Sequence, residues 1–130
     1  MGQREEKSEE EVVTIKEDAT IEEAANVIMK GQFTHLSVIS DDEKLVGIVT
    51  AWDISKAVAK KYWRLEEIMT RRVITADSEE PLELAVRKSE KYNISALPVI
   101  NRDRKVIGIV TSDGISRLVG RRGRRARRRA

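Results

Sequence analysis

The sequence predicts an α+β fold of two pseudo-symmetric β-α-β-β-α repeats packed through their sheets, and three observations predict it. The first is self-similarity. Shifted by 61 positions, Thr34-His35-Leu36-Ser37-Val38-Ile39 falls on Ser95-Ala96-Leu97-Pro98-Val99-Ile100, and Leu45-Val46-Gly47-Ile48-Val49-Thr50 falls on Val106-Ile107-Gly108-Ile109-Val110-Thr111. The second is that each copy alternates short β-branched runs with apolar positions at helical spacing. The third is physical: one such unit cannot bury both faces of a three-stranded sheet, whereas two packed sheet against sheet can.

In order along the chain, Val12–Ile15 and Val73–Thr75 are β-branched runs and read as opening strands. A helix follows from Thr20, a good N-cap, to Lys30, with Gly31 as its stop. Ile21, Ala24, Ala25 and Ile28 recur at i, i+3, i+4 and i+7 and make one apolar face. In the second copy two extra residues sit near Ser78–Pro81, and Pro81 takes the first helical position, where a missing N–H costs nothing. Leu82, Ala85 and Val86 then trace the same face. Leu36–Ile39 and Lys44–Val49 are strands joined by the acidic turn Asp41-Asp42-Glu43, matched by Asn101–Arg104. Three adjacent acids cannot all point at one ion, so that turn reads as a hairpin rather than a metal site. Closing helices run from Ala51 to Lys61 and from Ser112 to Val119. The expected boundaries are therefore residues 12–61 for one repeat, 62–67 for a connection and 68–119 for the other, between an acidic N-terminal segment at 1–11 and an Arg-rich tail at 120–130 that is expected to be disordered.

Composition narrows the function. The 130 residues contain no cysteine, which removes thiolate nucleophiles, disulfides and Cys-ligated metals. The single histidine, His35, argues against His-rich metal sites and Ser-His-Asp catalysis, and no acid–base pair converges, so the chain is expected not to be an enzyme. No apolar run approaches the length of a membrane span, and the acidic start lacks the apolar core of a signal peptide, so a cytoplasmic location is expected. Charge is lopsided. Seven arginines in residues 121–130 exceed the formal net charge of +3, so the body carries net negative charge.

The paired Gly-Ile-Val-Thr motifs, the Thr-x-x-Asp of Thr50 to Asp53, the Ala-Leu-Pro-Val of Ala96–Val99 and Ile68-Met69-Thr70 together resemble the CBS-domain pair, the module named after cystathionine β-synthase. The likeness covers residues 12–119 and extends to archaeal pairs attached to proteins of sulfur amino acid metabolism. It implies a regulatory sensor for an adenosyl ligand (AMP, ADP, ATP, or S-adenosylmethionine and its thio-derivatives) acting through a homodimer, with no covalent cofactor. An output to another chain, or to a further portion of the protein, would follow.

The residue chemistry fits that implication. Gly47 and Gly108 lack a Cβ, so strand and neighbour can approach closely. Thr50 closes a strand and opens a helix, offering a hydroxyl beside backbone N–H groups. Asp53 has acceptor oxygens for the vicinal hydroxyls of a ribose. The two also read simply as an N-cap and a first-turn acid, which is compatible with binding. The resemblance places Thr70, Arg72, Ile94, Ser95 and Ile109 across the pocket, with Thr34 and His35 from the same repeat. His35 reads either as a structural side chain or as a cleft residue that makes phosphate binding pH-sensitive. Trp52, Tyr62 and Trp63 read as packing or dimer-surface residues, with stacking on adenine as the second choice.

At the second copy the acid moves. Asp53 falls on Gly114 and Trp52 on Asp113, and one residue of helix is about 100° of rotation. The expected second site of Thr111 and Asp113 is therefore empty or weak, unless the helix start shifts and restores Asp113. Finally, the tail arginines, Arg121, Arg122, Arg124 and Arg125 among them, suit a salt-sensitive contact with nucleic acid or a solubilising role. The alternative function is thus nucleic-acid binding through the tail, with the repeats as its switch.

Overall fold

The β-branched and apolar runs fold into two three-stranded sheets, one in each of two units, in a computed structural model that describes residues 12–111. One unit spans residues 13–73; the other takes Val12 and the described residues from Ile74 onward. Among the described residues three helices complete an α+β fold.

In the first unit β1 (Thr14–Lys16) lies parallel to β2 (His35–Ile39), and β3 (Leu45–Thr50) runs antiparallel to β2, giving the order β1-β2-β3. Parallel neighbours need a crossover, and α1 (Ile21–Gly31) supplies it. Its start is fixed by a reciprocal cap: the Glu23 N–H donates to Thr20 Oγ1 at 3.1 Å, and the Thr20 N–H donates to Glu23 Oε1 at 2.9 Å. Ile21, Ala24 and Ile28 turn inward against Leu36, Val38 and Val49, as the spacing predicts. Helix α2 (Ala51–Lys60) adds Ile54 and Ala57 to this core.

The end of α1 differs from expectation. Gly31 is the last helical residue, and Gln32 takes the left-handed conformation with φ of 56°. The reason lies in Phe33, whose ring occupies the space a Cβ at Gly31 would need. Glycine is there for room rather than for positive φ.

The segment after α2 is more than a connection. A 3-10 turn at Leu65–Glu67 carries Leu65 into full burial, and Met69 follows it into the same core. Burying a leucine or methionine stabilises by about 1.5–3 kcal/mol relative to leaving it exposed. The Ile21 N–H donates to the Trp63 carbonyl at 3.0 Å, tying the segment to the start of α1.

The second unit repeats the plan. Here β4 (Ala76–Asp77) lies parallel to β5 (Ala96–Ile100), and β6 (Val106–Thr111) runs antiparallel to β5. Val99 faces Gly108 as Val38 faces Gly47, and both copies carry an irregularity one residue later, so the 61-residue offset holds to the level of register. Leu82, Ala85, Leu97 and Ala76 form its core.

Two expectations need correction here. The run Val73–Thr75 is not a strand; the ladder holds only Ala76 and Asp77. Lys88 Nζ takes the Thr75 carbonyl at 2.8 Å, and the Val73 N–H closes a tight turn onto the Arg71 carbonyl at 3.1 Å, so those groups are diverted from sheet pairing. Pro81 precedes helix α3 (Leu82–Tyr92) as its N-cap, with φ −69° and ψ 152°, rather than sitting at the first helical position. A proline ring fixes φ but leaves ψ free, and here ψ is extended. The expected helix over Ser112–Val119 and the tail lie outside the described residues.

Candidate functional site

The Thr-x-x-Asp sequence folds as the junction of β3 and α2. The Asp53 N–H donates to Thr50 Oγ1 at 3.0 Å, and the Thr50 N–H donates to Asp53 Oδ2 at 2.9 Å. The carboxylate is half-buried, and its Oδ1 lies 3.8 Å from Lys56 Nζ. The N–H of Ala51 donates to the Thr34 carbonyl at 3.1 Å, which anchors the helix start to the residue before β2.

These bonds decide what the junction can hold. Two first-turn N–H groups, those of Ala51 and Asp53, are already engaged, and a carboxylate stands among them. An anion placed there would meet negative charge and few free donors. A hydroxyl donor is better matched, because a carboxylate has about four lone-pair sites and one of these accepts from Thr50.

His35 enters from the neighbouring strand. It stands opposite Thr50 in the β2–β3 ladder and shares a 2.8 Å hydrogen bond between its Nδ1 and Thr34 Oγ1. Burial lowers its pKa below the ordinary 6.5, and the Asp53 carboxylate pulls the other way. Thr34, His35, Thr50 and Asp53 are thus gathered at one corner of the first unit.

Thr70 belongs to the same unit by a route the resemblance did not specify. Its N–H donates to the Ile48 carbonyl at 2.9 Å and its carbonyl accepts from the Ile48 N–H at 3.0 Å. This bridge is antiparallel and sits two residues before Thr50, so the chain heads toward the N-terminal end of β3 as it reaches Arg71 and Arg72. Arg72 is exposed at the bend.

In the second unit Ala96 takes His35's place opposite Thr111, and Ser95 precedes it as Thr34 precedes His35. Ile94 packs on the second core and its N–H ends α3 by donating to the Ser89 carbonyl at 3.0 Å. Ile109 is exposed. Asp113, Gly114 and the tail residues Arg121, Arg122, Arg124 and Arg125 lie outside the described residues. Among the described residues Trp52 and Trp63 join neither core and are 68% and 74% exposed, so the packing reading of these rings finds no support there.

Sequence reasoning passed over two features. Leu65 and Met69 were readable as an i, i+4 apolar pair, yet their place beside β3 was not. The pairing of Lys88 Nζ with Glu80 Oε1 at 3.0 Å had no signal in the sequence, since the two lie eight residues apart across a helix start.

A family model described as the CBS domain matches residues 8–60 and again residues 65–121. The chain belongs to the CBS domain family. Its two repeats form a CBS pair, and the pair is similar to solved ones. The CBS domain pair of protein MJ0100, in complex with 5′-methylthioadenosine and S-adenosyl-L-methionine, is 44% identical with a TM-score of 0.77, covering 87% of this chain and 94% of that one. CBSX2 in complex with AMP is 25% identical with a TM-score of 0.75, covering 86% and 90%. Among sequence relatives, a homoserine O-acetyltransferase of Methanohalobium evestigatum is 56% identical over 110 residues, 85% of this chain and 22% of that protein. An L-aspartate semialdehyde sulfurtransferase of Methanosarcina acetivorans is 51% identical over 112 residues, again 85% and 22%. The chain therefore spans about a fifth of the length of these relatives. Among the described residues no helix is long and apolar enough to cross a membrane.

Proposed function

We propose that this CBS pair is a regulatory module without catalysis of its own, which binds an adenosyl small molecule and acts through a homodimer. The observation that carries the reading is the likeness to the MJ0100 pair, whose complex holds two adenosyl compounds. The CBSX2 complex with AMP supports the same ligand class. The enzyme names of the longer relatives concern proteins of which this chain matches about a fifth, so they support attachment to an enzyme rather than catalysis here.

Asp53 is the residue that holds the sugar. Its carboxylate accepts from the ribose 2′- and 3′-hydroxyls while Oδ2 keeps the Thr50 N–H, and Thr50 contributes its hydroxyl hydrogen. Thr34 and His35 border the same corner. The Thr111 side, which lacks an acid three residues on, binds weakly or not at all. Ligand occupancy shifts the population between two arrangements of the module, and the partner reads the shift.

Calorimetric titration of AMP, ATP and S-adenosylmethionine into the wild type and the Asp53→Ala variant tests this. A hydrogen bond to a charged group contributes about 1.5–3 kcal/mol, so the variant should lose roughly 10- to 100-fold in affinity. Equal affinity of all three ligands for both proteins would refute the assignment of Asp53.

A further inference from the structure

The repeat extends to the edges of the sheets, and there the two units differ. In the first, the edge strand β3 is covered: Ile48 exchanges two backbone hydrogen bonds with Thr70, at 3.0 Å and 2.9 Å. In the second, Ile109 holds the position of Ile48 and stands opposite Pro98 as Ile48 stands opposite Ser37. A proline has no N–H to give, and the shared register turns the Ile109 N–H and carbonyl outward, along the edge of β6. Among the described residues no bridge meets them. Ile107 and Ile109 are 42% and 41% exposed, whereas Val46 and Ile48 are half-buried.

The first unit shows what fits such an edge. Shifted back by 61, Thr70, Arg71 and Arg72 fall on Glu9, Glu10 and Glu11, and Val73 falls on Val12. The three glutamates lie outside the described residues, but Val12 belongs to the second unit while Val13 belongs to the first. An acidic run thus immediately precedes a residue of the second unit. Charge agrees with this placement. Beyond Thr70 the chain heads for the start of β3, where the turn Asp41-Asp42-Glu43-Lys44 is net negative and Arg71 and Arg72 are positive. At the start of β6 both signs are inverted: the turn Arg102-Asp103-Arg104-Lys105 is net positive, and Glu10 and Glu11 are negative. Glu43 and Arg104 share the left-handed conformation, with φ of 66° and 63°, so the two turns have one shape and opposite charge. Arg102 lies 4.0 Å from Glu79, and both side chains are well exposed, so that pair is weak enough to be exchanged.

We propose that residues 9–11 clasp the open edge of β6, Glu9 bridging Ile109 through the backbone and Glu10 and Glu11 meeting the basic turn. Backbone bonds to a sheet edge supply the affinity, and the charges choose the segment and its direction. Leu65 and Met69, which anchor the first unit's strap in its core, have Arg4 and Ser8 as counterparts. The clasp therefore lacks an apolar anchor, is held by charge, and opens at high ionic strength.

Amide hydrogen exchange of the full chain, read by NMR at Ile109 with Ile48 as the reference, tests this. At about 0.05 M salt the Ile109 N–H should be protected, and at about 1 M its protection should fall severalfold while Ile48 holds. Glu9→Pro removes the donor for the Ile109 carbonyl and should lower protection about tenfold. Glu10→Lys with Glu11→Lys should lower it about threefold, and adding Arg102→Glu with Arg104→Glu should restore it. An Ile109 amide that exchanges as an open edge in the wild type would overturn the clasp. Protection indifferent to every change at residues 9–11 would overturn it too, as would protection that falls on dilution, which would assign the edge to a second copy. A loss that the inverted turn fails to recover would refute the charge pairing.

Discussion

A β-carbon at Gly47 would stand 3.0 Å from the Thr70 carbonyl oxygen and 2.8 Å from Met69 Sδ. The methionine can swing aside, but the carbonyl is held by the Ile48 N–H and cannot. Among the described residues Gly108, the equivalent position, has Val99 Cβ and Cγ2 at 3.8 and 3.9 Å, ordinary contacts. Gly47→Ala should therefore destabilise by about 1–3 kcal/mol, the cost of forcing an atom into a packed site. Gly108→Ala should cost little or stabilise slightly, since glycine weakens a strand. Urea unfolding of both variants checks this; equal losses would show that the 65–70 segment does not press on β3.

Leu65 is fully buried and shares a core with Leu36, Val49 and Ile54. Leu65→Ala should cost about 2–5 kcal/mol. A loss under about 1 kcal/mol in denaturant unfolding would mean that the segment after α2 is a tether and not part of the core.

The pH dependence of stability has a sign fixed by His35. Its folded pKa is depressed by burial, so the unfolded chain binds that proton more readily than the folded one. The stability it contributes is complete above pH 6.5 and is lost as pH falls from 6.5 through the folded value. Melting temperature followed from pH 8 to pH 5 should decline below about 6.5 in the wild type and decline less in His35→Gln. An unchanged slope in the variant would contradict the burial of the ring.

Glu80 is 10% exposed and pairs with Lys88, while its Oε2 has no partner among the described residues. Removing the cation leaves a buried carboxylate and frees the Thr75 carbonyl. Lys88→Met should cost about 2 kcal/mol, discounted because Lys88 itself is 28% exposed. Pairing it with Glu80→Gln should recover part of that loss. Additive losses, read from chemical unfolding of the single and double variants, would deny the coupling.

The repeat made most of this fold readable. A 61-residue offset fixed the strands, the hairpins and the register in which Val38 and Val99 meet their glycines. Elements set by local chemistry followed, such as the Thr20–Glu23 cap and the Thr50–Asp53 cap. What escaped was decided by contacts distant in sequence. Residue 31 is glycine because the Phe33 ring fills the space of a β-carbon, Val73–Thr75 leaves the sheet because Lys88 claims a carbonyl, and Leu65 is buried by a turn whose place beside β3 no local pattern announces. At the site, residue types were legible while their bonds were not. Nothing in the order of letters says that the Thr34 hydroxyl meets the His35 ring or that Thr70 bridges to Ile48.

The central claim is that a ribose is held by Asp53 at the corner of β3 and α2. A crystal structure of the chain grown with S-adenosylmethionine or AMP tests it most directly. The account predicts density with both sugar hydroxyls within hydrogen-bonding distance of the Asp53 carboxylate. Density beside Thr111 alone, or none at saturating ligand, would contradict it.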